Sequence, residues 1–443
     1  MVPLGLSARD RKAYLRALHE SHLMKPLVRI HDRNEKVIST IVSTRILSGQ
    51  VNVDMSQDPN RTLEVTILEP RRAPAWLPSG PADYHVFADN FISAQYLVWV
   101  RDLSDGPGWV HVPVFWGPIV GLSQDGVEVT VQGAGKEVLG LEPCLLWRSM
   151  ELHKGRRRTA VIRDVLAANG ETRFDLPDLA PKLNKKMSLN RHAQPWNIAT
   201  AIAGGADWQL FYDGRGRAKA RRWPQNRAYT WKDDATSTIL NRPTISYDVT
   251  GVRNVVEVMG PEPKGPPSRI RAVARANEKH KLSAESLRRN GQPRYMVEVV
   301  DSNLAKPELE WHASHKRHHG KGAISLVAAH WGAPSGVKNP GRWLKWRKSV
   351  IAARQNKARD IARRHLKNRL RATIDTTFET IPIPHLEEGD PCAISVEGWH
   401  LTFILKQFTI PLVSDAPMTV GVNRRIPKKD RERKRQKKGH RPR

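Results

Sequence analysis

The sequence predicts a mainly β, multi-domain fold with α+β insertions. Short runs in which apolar and polar residues alternate recur over residues 28–141 and again over 374–422, as expected of half-buried strands. Between these regions, over about 158–235, the apolar residues take helical spacing and then form a hairpin pattern. The 443 residues can hold roughly two to four compact units, each with its own hydrophobic core.

The first predicted element is a short helix in an N-terminal segment, residues 1–27. Tyr14, Leu15 and Leu18 lie near helical spacing in this segment. The same segment alternates charged residues and has no apolar core of the kind found in signal peptides. We therefore expect a helix that packs on the following domain rather than a secretion signal.

A strand-rich domain, 28–150, comes next, and its closely spaced strands favour a β-barrel or sandwich over βαβ units. Leu63, Val65 and Ile67 alternate with polar residues, which gives one dry and one wet face. Gly126 supplies the turn of a tight hairpin after Asp125. The candidate strands are Val37–Val42, Gln50–Asp54, Thr62–Leu68, Gln95–Arg101, Val110–Phe115, Ile119–Leu122 and Val127–Gln132, with a proline-rich loop at Pro70–Pro81.

An α+β insertion domain is predicted over 151–240. A short amphipathic helix begins near Ala160 and ends at Asn169-Gly170, and Pro195 suits the first turn of a second helix. A hairpin then runs from Trp208–Tyr212 through a turn into a second strand that begins at Ala218. The order helix, helix, hairpin defines this domain.

The remaining chain, 241–423, is predicted to be a second β domain. It contains strands at Ile245–Asp248 and Asn254–Gly260, an irregular insert at 268–345, a basic helix at 346–372 and closing strands up to Val422. Residues 424–443 are predicted to be a disordered basic tail.

Positive charge is concentrated in two places. The net charge is +29, and residues 342–371 contain 12 Lys and Arg against one acid, while 424–443 contain 12 Lys and Arg against two acids. Such runs suggest contact with nucleic acid, acidic protein or an anionic surface, although a solvated helix and tail would show the same pattern. The residues expected to form an interface or to contact anions are Arg354, Arg359, Arg363, Arg364 and Lys367.

Catalytic and metal-binding motifs are weak in this sequence. Two cysteines, Cys144 and Cys392, lie far apart, which excludes a disulfide scaffold or a cysteine-rich zinc site. The segment Gly133–Lys136 fails as a phosphate-binding loop because Glu137 follows the lysine. The best metal candidate is the histidine run His312, His315, His318 and His319, but interleaved lysine and arginine would oppose a cation there. No cofactor is expected, and no apolar run approaches the length of a membrane span.

Acidic residues occur together at Asp233-Asp234 and at Glu387-Glu388 with Asp390. A glycosidase needs two carboxyl groups held across a cleft, and no partner base or nucleophile motif accompanies either group. Both groups lie in turn-like contexts, where we expect exposed acids. The chain is accordingly expected to be structural rather than catalytic.

Four segments carry a resemblance to the tail-tip or baseplate hub proteins of tailed phages. They are Ser48–Asp54 with Arg61–Leu68; Val161–Leu166 with Trp208–Gly216; Asn254–Gly260; and the closing stretch Ala352–Val422, which includes Pro382–Asp390 and Ile410–Leu412. The resemblance implies two related small β-barrel domains per subunit, plus the helix–hairpin insertion domain. It also implies a homotrimer that closes a pseudo-hexameric ring.

The resemblance further implies a place at the tail tip of the virion, with assembly in the host cytoplasm. The implied partners are the distal tail protein or tail tube, the tape-measure protein and a tail fibre or spike, with transient contact to DNA during genome ejection. Two other functions stay open from the sequence. One is a nucleic-acid-binding protein that uses the basic helix and tail. The other is a tail-associated cell-wall hydrolase that uses Glu387, Glu388 or Asp390.

Overall fold

The computed structural model describes most of the chain. The described residues are 4–20, 23–69, 76–78, 83, 87–88, 90–178, 181–184, 186–206, 208–234, 237–260, 270–301, 340–370, 373–396, 398–413 and 415–425. The loop Pro70–Pro81, the histidine run and the tail therefore lie wholly or largely outside the described residues. Most of the predicted insert at 268–345 does so as well.

Four α-helices occur among the described residues. They are α1 (Ala8–Ala17), α2 (Arg158–Ala167), α3 (Pro195–Gly204) and α4 (Pro340–Arg369). The Ser7 side chain caps α1 by accepting a hydrogen bond from the backbone N–H of Asp10, and Pro195 occupies the first turn of α3. Both helices in the insertion and the basic helix are thus confirmed, and the basic helix is longer than predicted.

The strands outnumber the helices and make the fold mainly β, as predicted. They are β1 (Met24–His31), β2 (Val37–Val42), β3 (Ile46–Asp54), β4 (Arg61–Leu68), β5 (Phe91–Val100), β6 (Gly108–Asp125), β7 (Glu128–Ala134), β8 (Met150–Leu152), β9 (Phe174–Asp175), β10 (Met187–Leu189), β11 (Trp208–Tyr212), β12 (Ala218–Arg222), β13 (Tyr229–Lys232), β14 (Thr244–Asp248), β15 (Val255–Met259), β16 (Arg271–Arg275), β17 (Val297–Asp301), β18 (Thr373–Thr380), β19 (Pro391–Val396), β20 (Trp399–Ile404), β21 (Gln407–Pro411) and β22 (Met418–Arg425).

The largest sheet has the strand order β14-β18-β22-β21-β3-β4-β7-β6-β5-β1-β2. The two strands predicted at Val110–Phe115 and Ile119–Leu122 are one long strand, β6, which pairs with β5 over one part and with β7 over another. The alternation in β4 buries Leu63, Val65 and Ile67 in the core and leaves Glu64 exposed. Among the described strands, no pairing joins β2 to β14, so the two related barrels stay a prediction.

The closing strands return to the beginning of the chain. Strand β21 pairs antiparallel with β3, and the side chains of Thr409 and Asn52, 357 residues apart in sequence, are hydrogen bonded at 3.0 Å. Residues 1–245 and 376–423 accordingly form one compact unit, the first unit. The predicted limits, 28–150 and 241–423, assign these strands to different domains, because no local pattern in the sequence reveals a pairing over this distance.

The helix–hairpin part of the first unit has its own hydrophobic core. Helices α2 and α3 pack with the hairpin of β11 and β12, and Trp196 stacks on Tyr212 with ring centroids 5.1 Å apart. The turn of the hairpin contains Gly214, which lies so close to β6 that a Cβ atom there would approach the carbonyl oxygen of Pro113 to 2.4 Å. The hairpin is thereby held against the main sheet.

The second unit, residues 246–375 with 424–443, is a helix on a three-stranded sheet. Its strand order is β16-β15-β17. Small side chains on one face of α4, Ala358 and Ala362, pack with Leu366 against Val256 and Val258 of β15. The small alanine side chains allow the basic helix to pack closely on this sheet.

Candidate functional site

The loop between Leu386 and β19 carries three carboxylates that are buried. Glu387, Glu388 and Asp390 expose 0%, 0% and 1% of their surface. Gly389 allows the tight turn because its φ is +79°, a left-handed value that disfavours side chains. The backbone N–H of Gly389 donates to the carbonyl oxygen of Leu405 at 2.7 Å, which fixes the loop against the end of β20.

Two cations of β12 neutralise this loop. The Lys219 ammonium lies 3.1 Å from the Glu387 carboxylate, and the Arg221 guanidinium lies 3.3 Å from Glu387 and 3.0 Å from Asp390. Arg221 also donates to the carbonyl oxygen of Glu388 at 2.5 Å. Burial alone would raise the pKa of Glu387, but Lys219 and Arg221 outweigh it and lower that pKa.

Glu388 lies in a different environment. Burial raises the pKa of Glu388 to about 7, although Arg61 and the 3.0 Å hydrogen bond from Asn60 act in the opposite direction. Burial also raises the pKa of Glu137 to about 8, and the nearby Glu388 adds to that rise. Arg61 itself is buried and donates to the carbonyl oxygen of Val114 at 2.5 Å. Three elements of the first unit therefore meet at one cluster of charges.

The expectation of exposed acids at Glu387, Glu388 and Asp390 was wrong. The local sequence shows a turn. Lys219 and Arg221, more than 160 residues earlier, offset the cost of burying the carboxylates by contacting them. The one available signal was the spacing of Lys219 and Arg221, two residues apart in the strand Ala218–Arg222, which places both on one face. The cluster joins the hairpin to the loop, whereas Asp233 and Asp234 are exposed as expected.

The five basic residues predicted on α4 do not share one environment. Arg354 is buried, at 7% exposure, on the same face as Ala358. Arg359, Arg363, Arg364 and Lys367 are exposed. Arg359, Arg363 and Lys367 line a groove between α4 and β16, and Arg364 does not. Sequence reasoning missed Arg275 and His280, which line the same groove from β16 and the turn after it.

One of the two edges of the large sheet, strand β2, is apolar. Strand β2 pairs with β1 and, among the described strands, with no other. Its residues Val37, Ile38 and Val42 are 44%, 46% and 48% exposed. The strand has the sequence Val-Ile-Ser-Thr-Ile-Val, with no charge or proline to discourage pairing with another chain.

Metal-binding and membrane features were searched within the described residues. No cluster of three or more histidine, cysteine or acidic side chains there has the arrangement of a metal site. The run His312–His319 lies outside the described residues. Of the helices that are described, none is both long and apolar enough to cross a membrane. Lys136, in the rejected phosphate-loop segment, is buried and pairs with Glu171 at 2.9 Å.

Comparison with known proteins gives matches among solved structures. No protein-family model and no curated protein matches the sequence. The matching solved structures include tail proteins, the class of protein that the sequence resembles.

Three of these structures illustrate the similarity. A tail protein from Neisseria meningitidis is 11% identical with a TM-score of 0.48, over 90% of this chain and 96% of that one. The 43 kDa tail protein of a Shewanella oneidensis prophage is 10% identical with a TM-score of 0.47, over 91% and 98%. Prophage tail protein gp18 from Listeria monocytogenes is 8% identical with a TM-score of 0.45, over 93% and 98%. At these values the likeness assigns neither a family nor a function to the chain.

Proposed function

We propose that the chain is a structural protein of a phage tail tip. In this proposal it forms a homotrimeric hub ring of two barrels per subunit, which joins the tail tube to a central fibre or spike and takes part in DNA delivery. The resemblance of four sequence segments to hub proteins supports the proposal. The observation that carries it is the free, apolar edge strand β2.

An edge of this kind favours association between copies. Among the described residues, no strand pairs with the backbone groups on the outer side of β2, and Val37, Ile38 and Val42 add apolar surface beside them. A strand from a neighbouring copy would satisfy both at once, by main-chain hydrogen bonds and by apolar burial. If the contact joins β2 to a different surface of the next copy and relates successive copies by a rotation of 120°, three copies close a ring.

The remaining partners belong to the same proposal. They are the distal tail protein or tail tube, the tape-measure protein and the fibre or spike, at the tail tip of the virion. The exposed basic residues of α4, together with the buried Arg354, are proposed to contact anionic surfaces of these partners or DNA. The buried state of Glu387, Glu388 and Asp390 gives no support to a hydrolase that uses them, since each is held by neighbouring residues away from solvent.

Sedimentation of the purified full-length chain tests the ring. We expect the wild type to sediment as a particle with three times the 50.1 kDa mass of one chain. The variant Ile38→Lys/Val42→Lys should sediment as a monomer, because two charges on the free edge oppose pairing. The matched control, Leu68→Lys/Val127→Lys, places the same charges on similarly exposed residues, both 42% exposed, which lie at the end of β4 and in the turn between β6 and β7.

The control should remain trimeric. A wild-type chain that sediments as a monomer at every concentration would refute the ring. A trimer that survives the double change in β2 would show that this edge is not the contact. Circular dichroism of each variant establishes that the fold is retained.

A further inference from the structure

The groove between α4 and β16 is a cationic cavity of about 520 Å³ within the second unit. Arg359, Arg363 and Lys367 line it from the helix, and Arg275 lines it from the sheet. Its floor is apolar, with Ala274, Ala276, Leu366 and Leu370, and Val273, Asn277 and His280 complete the lining. No carboxylate is among the lining residues.

The cations in this groove form no ion pair with another described residue. Arg363 and Lys367 make no such ion pair, and Arg359 donates one hydrogen bond, to Asn356 at 3.2 Å. The Arg275 guanidinium lies 5.9 Å from the centre of the Tyr295 ring. By contrast, Arg369 on the same helix is held by Glu298 at 2.7 Å. The groove therefore concentrates positive charge that no acidic side chain among the described residues neutralises by an ion pair.

The spacing of the helical cations defines the length of the charged surface. Arg359, Arg363 and Lys367 are four residues apart, so they form a row that rises about 6 Å at each step and about 12 Å in all. One strand of duplex DNA rises ~3.4 Å of helix axis per phosphate, and because the strand winds around that axis its successive phosphates lie about 7 Å apart, close to the step between the cations. A strand that follows the row therefore places about one phosphate beside each of Arg359, Arg363 and Lys367, and Arg275 adds a cation from the opposite wall.

We infer that this groove binds the phosphate backbone of DNA, without reading its sequence. An extended acidic peptide rises ~3.3 Å per residue and turns every second side chain away, so it matches the row only where an acidic residue stands at every second position. DNA carries a phosphate at every nucleotide whatever its sequence, so it meets the spacing of the row without that requirement. The lining holds no Phe, Tyr or Trp side chain on which a base could stack. The biological setting, contact with DNA as it leaves the tail, rests on the proposed function.

Fluorescence anisotropy with a labelled 20-base-pair duplex tests the inference on the full-length chain between 50 and 200 mM salt. The variant Arg363→Glu/Lys367→Glu should reduce the slope of log affinity against log salt by about 2, since each lost phosphate contact contributes ~0.9. The matched control Lys357→Glu/Arg364→Glu changes the charge of the same helix equally at exposed positions outside the groove. It should leave the slope within about 0.5 of the wild type.

A second variant, Arg275→Glu, tests the wall of the groove that the sheet forms. It should reduce the slope of log affinity against log salt by about 1. The basic tail is present in every variant, so its contribution cancels in the comparison. If Arg363→Glu/Lys367→Glu and the control Lys357→Glu/Arg364→Glu reduced the slope of log affinity against log salt equally, DNA would be attracted to the whole helix and the inference would be overturned. Displacement of the duplex by poly-glutamate at equal charge concentration would overturn it in favour of an acidic protein partner. The ring is measured separately by sedimentation, so either proposal can fail alone.

Discussion

Replacing Glu387 with glutamine should lower the free energy of unfolding of the first unit by about 3 kcal/mol. The substitution keeps the size of the side chain and removes its charge. Lys219 and Arg221 would then remain at a buried position without the carboxylate that they now contact. The neighbouring substitution Glu388→Gln is the matched control, because Glu388 is equally buried.

The magnitude follows from the distances. With an effective dielectric constant of about 20, an ion pair at 3.1 or 3.3 Å is worth about 5 kcal/mol before desolvation. Desolvation cancels part of this attraction, and removing one partner of a buried pair costs about 3–5 kcal/mol. Asp390 would still hold Arg221 at 3.0 Å, so we expect the lower end of that range.

The control Glu388→Gln should lower the free energy of unfolding by less than about 1 kcal/mol. The reason is that a carboxyl group with a pKa of about 7 is already partly protonated at neutral pH. Urea denaturation at pH 7 measures both values. Tryptophan fluorescence is a suitable signal, since Trp196 and Trp231 are buried in the first unit. Equal losses for the two variants would refute the assignment of Glu387 as the charged centre of the cluster.

Two further predictions concern Glu137, which is close to Glu388 in the same charge cluster, and Gly389 in the loop itself. Because burial raises the pKa of Glu137 to about 8 from its ordinary value of 4.5, the folded chain holds a proton that the unfolded chain releases, and its stability should fall as pH rises between these values. Glu137→Gln should flatten that decline in urea titrations from pH 5 to 8.5, and an unchanged slope would contradict the assignment. Gly389→Ala should cost about 1–2 kcal/mol, since its φ of +79° is left-handed. The added Cβ would also approach Gln209 to 2.3 Å, so the loss should exceed that for Gly126→Ala, which has a φ of +62° and no neighbour within 4 Å.

Local patterns predicted the local elements of this fold. Alternation identified β4, helical spacing with Pro195 identified α3, and Gly126 marked the turn between β6 and β7. These elements follow from interactions between residues close in sequence, which periodicity and turn preferences record. The mainly β class with α+β insertions was predictable for the same reason.

Long-range pairing was not predictable from these patterns. Nothing local in β21 indicates β3 as its neighbour, and nothing local near Glu387 indicates burial beside Lys219. The groove shows the same limit: the sequence marks α4 as basic, but only the packing of α4 on β16 adds Arg275 to its cations. Packing also separates Arg354, on the buried face, from the exposed residues of the same charge run.

The pairing of β21 with β3 has a consequence for biosynthesis. Thr409 of β21 lies 357 residues after Asn52 of β3, so the first unit cannot finish folding until the ribosome has translated β21 and β21 has emerged. Until then, the unpaired side of β3 is open to wrong neighbours, including nascent chains on the same polysome. A premature stop codon before Gln407 would leave that side permanently open, so such truncated products should aggregate or be degraded.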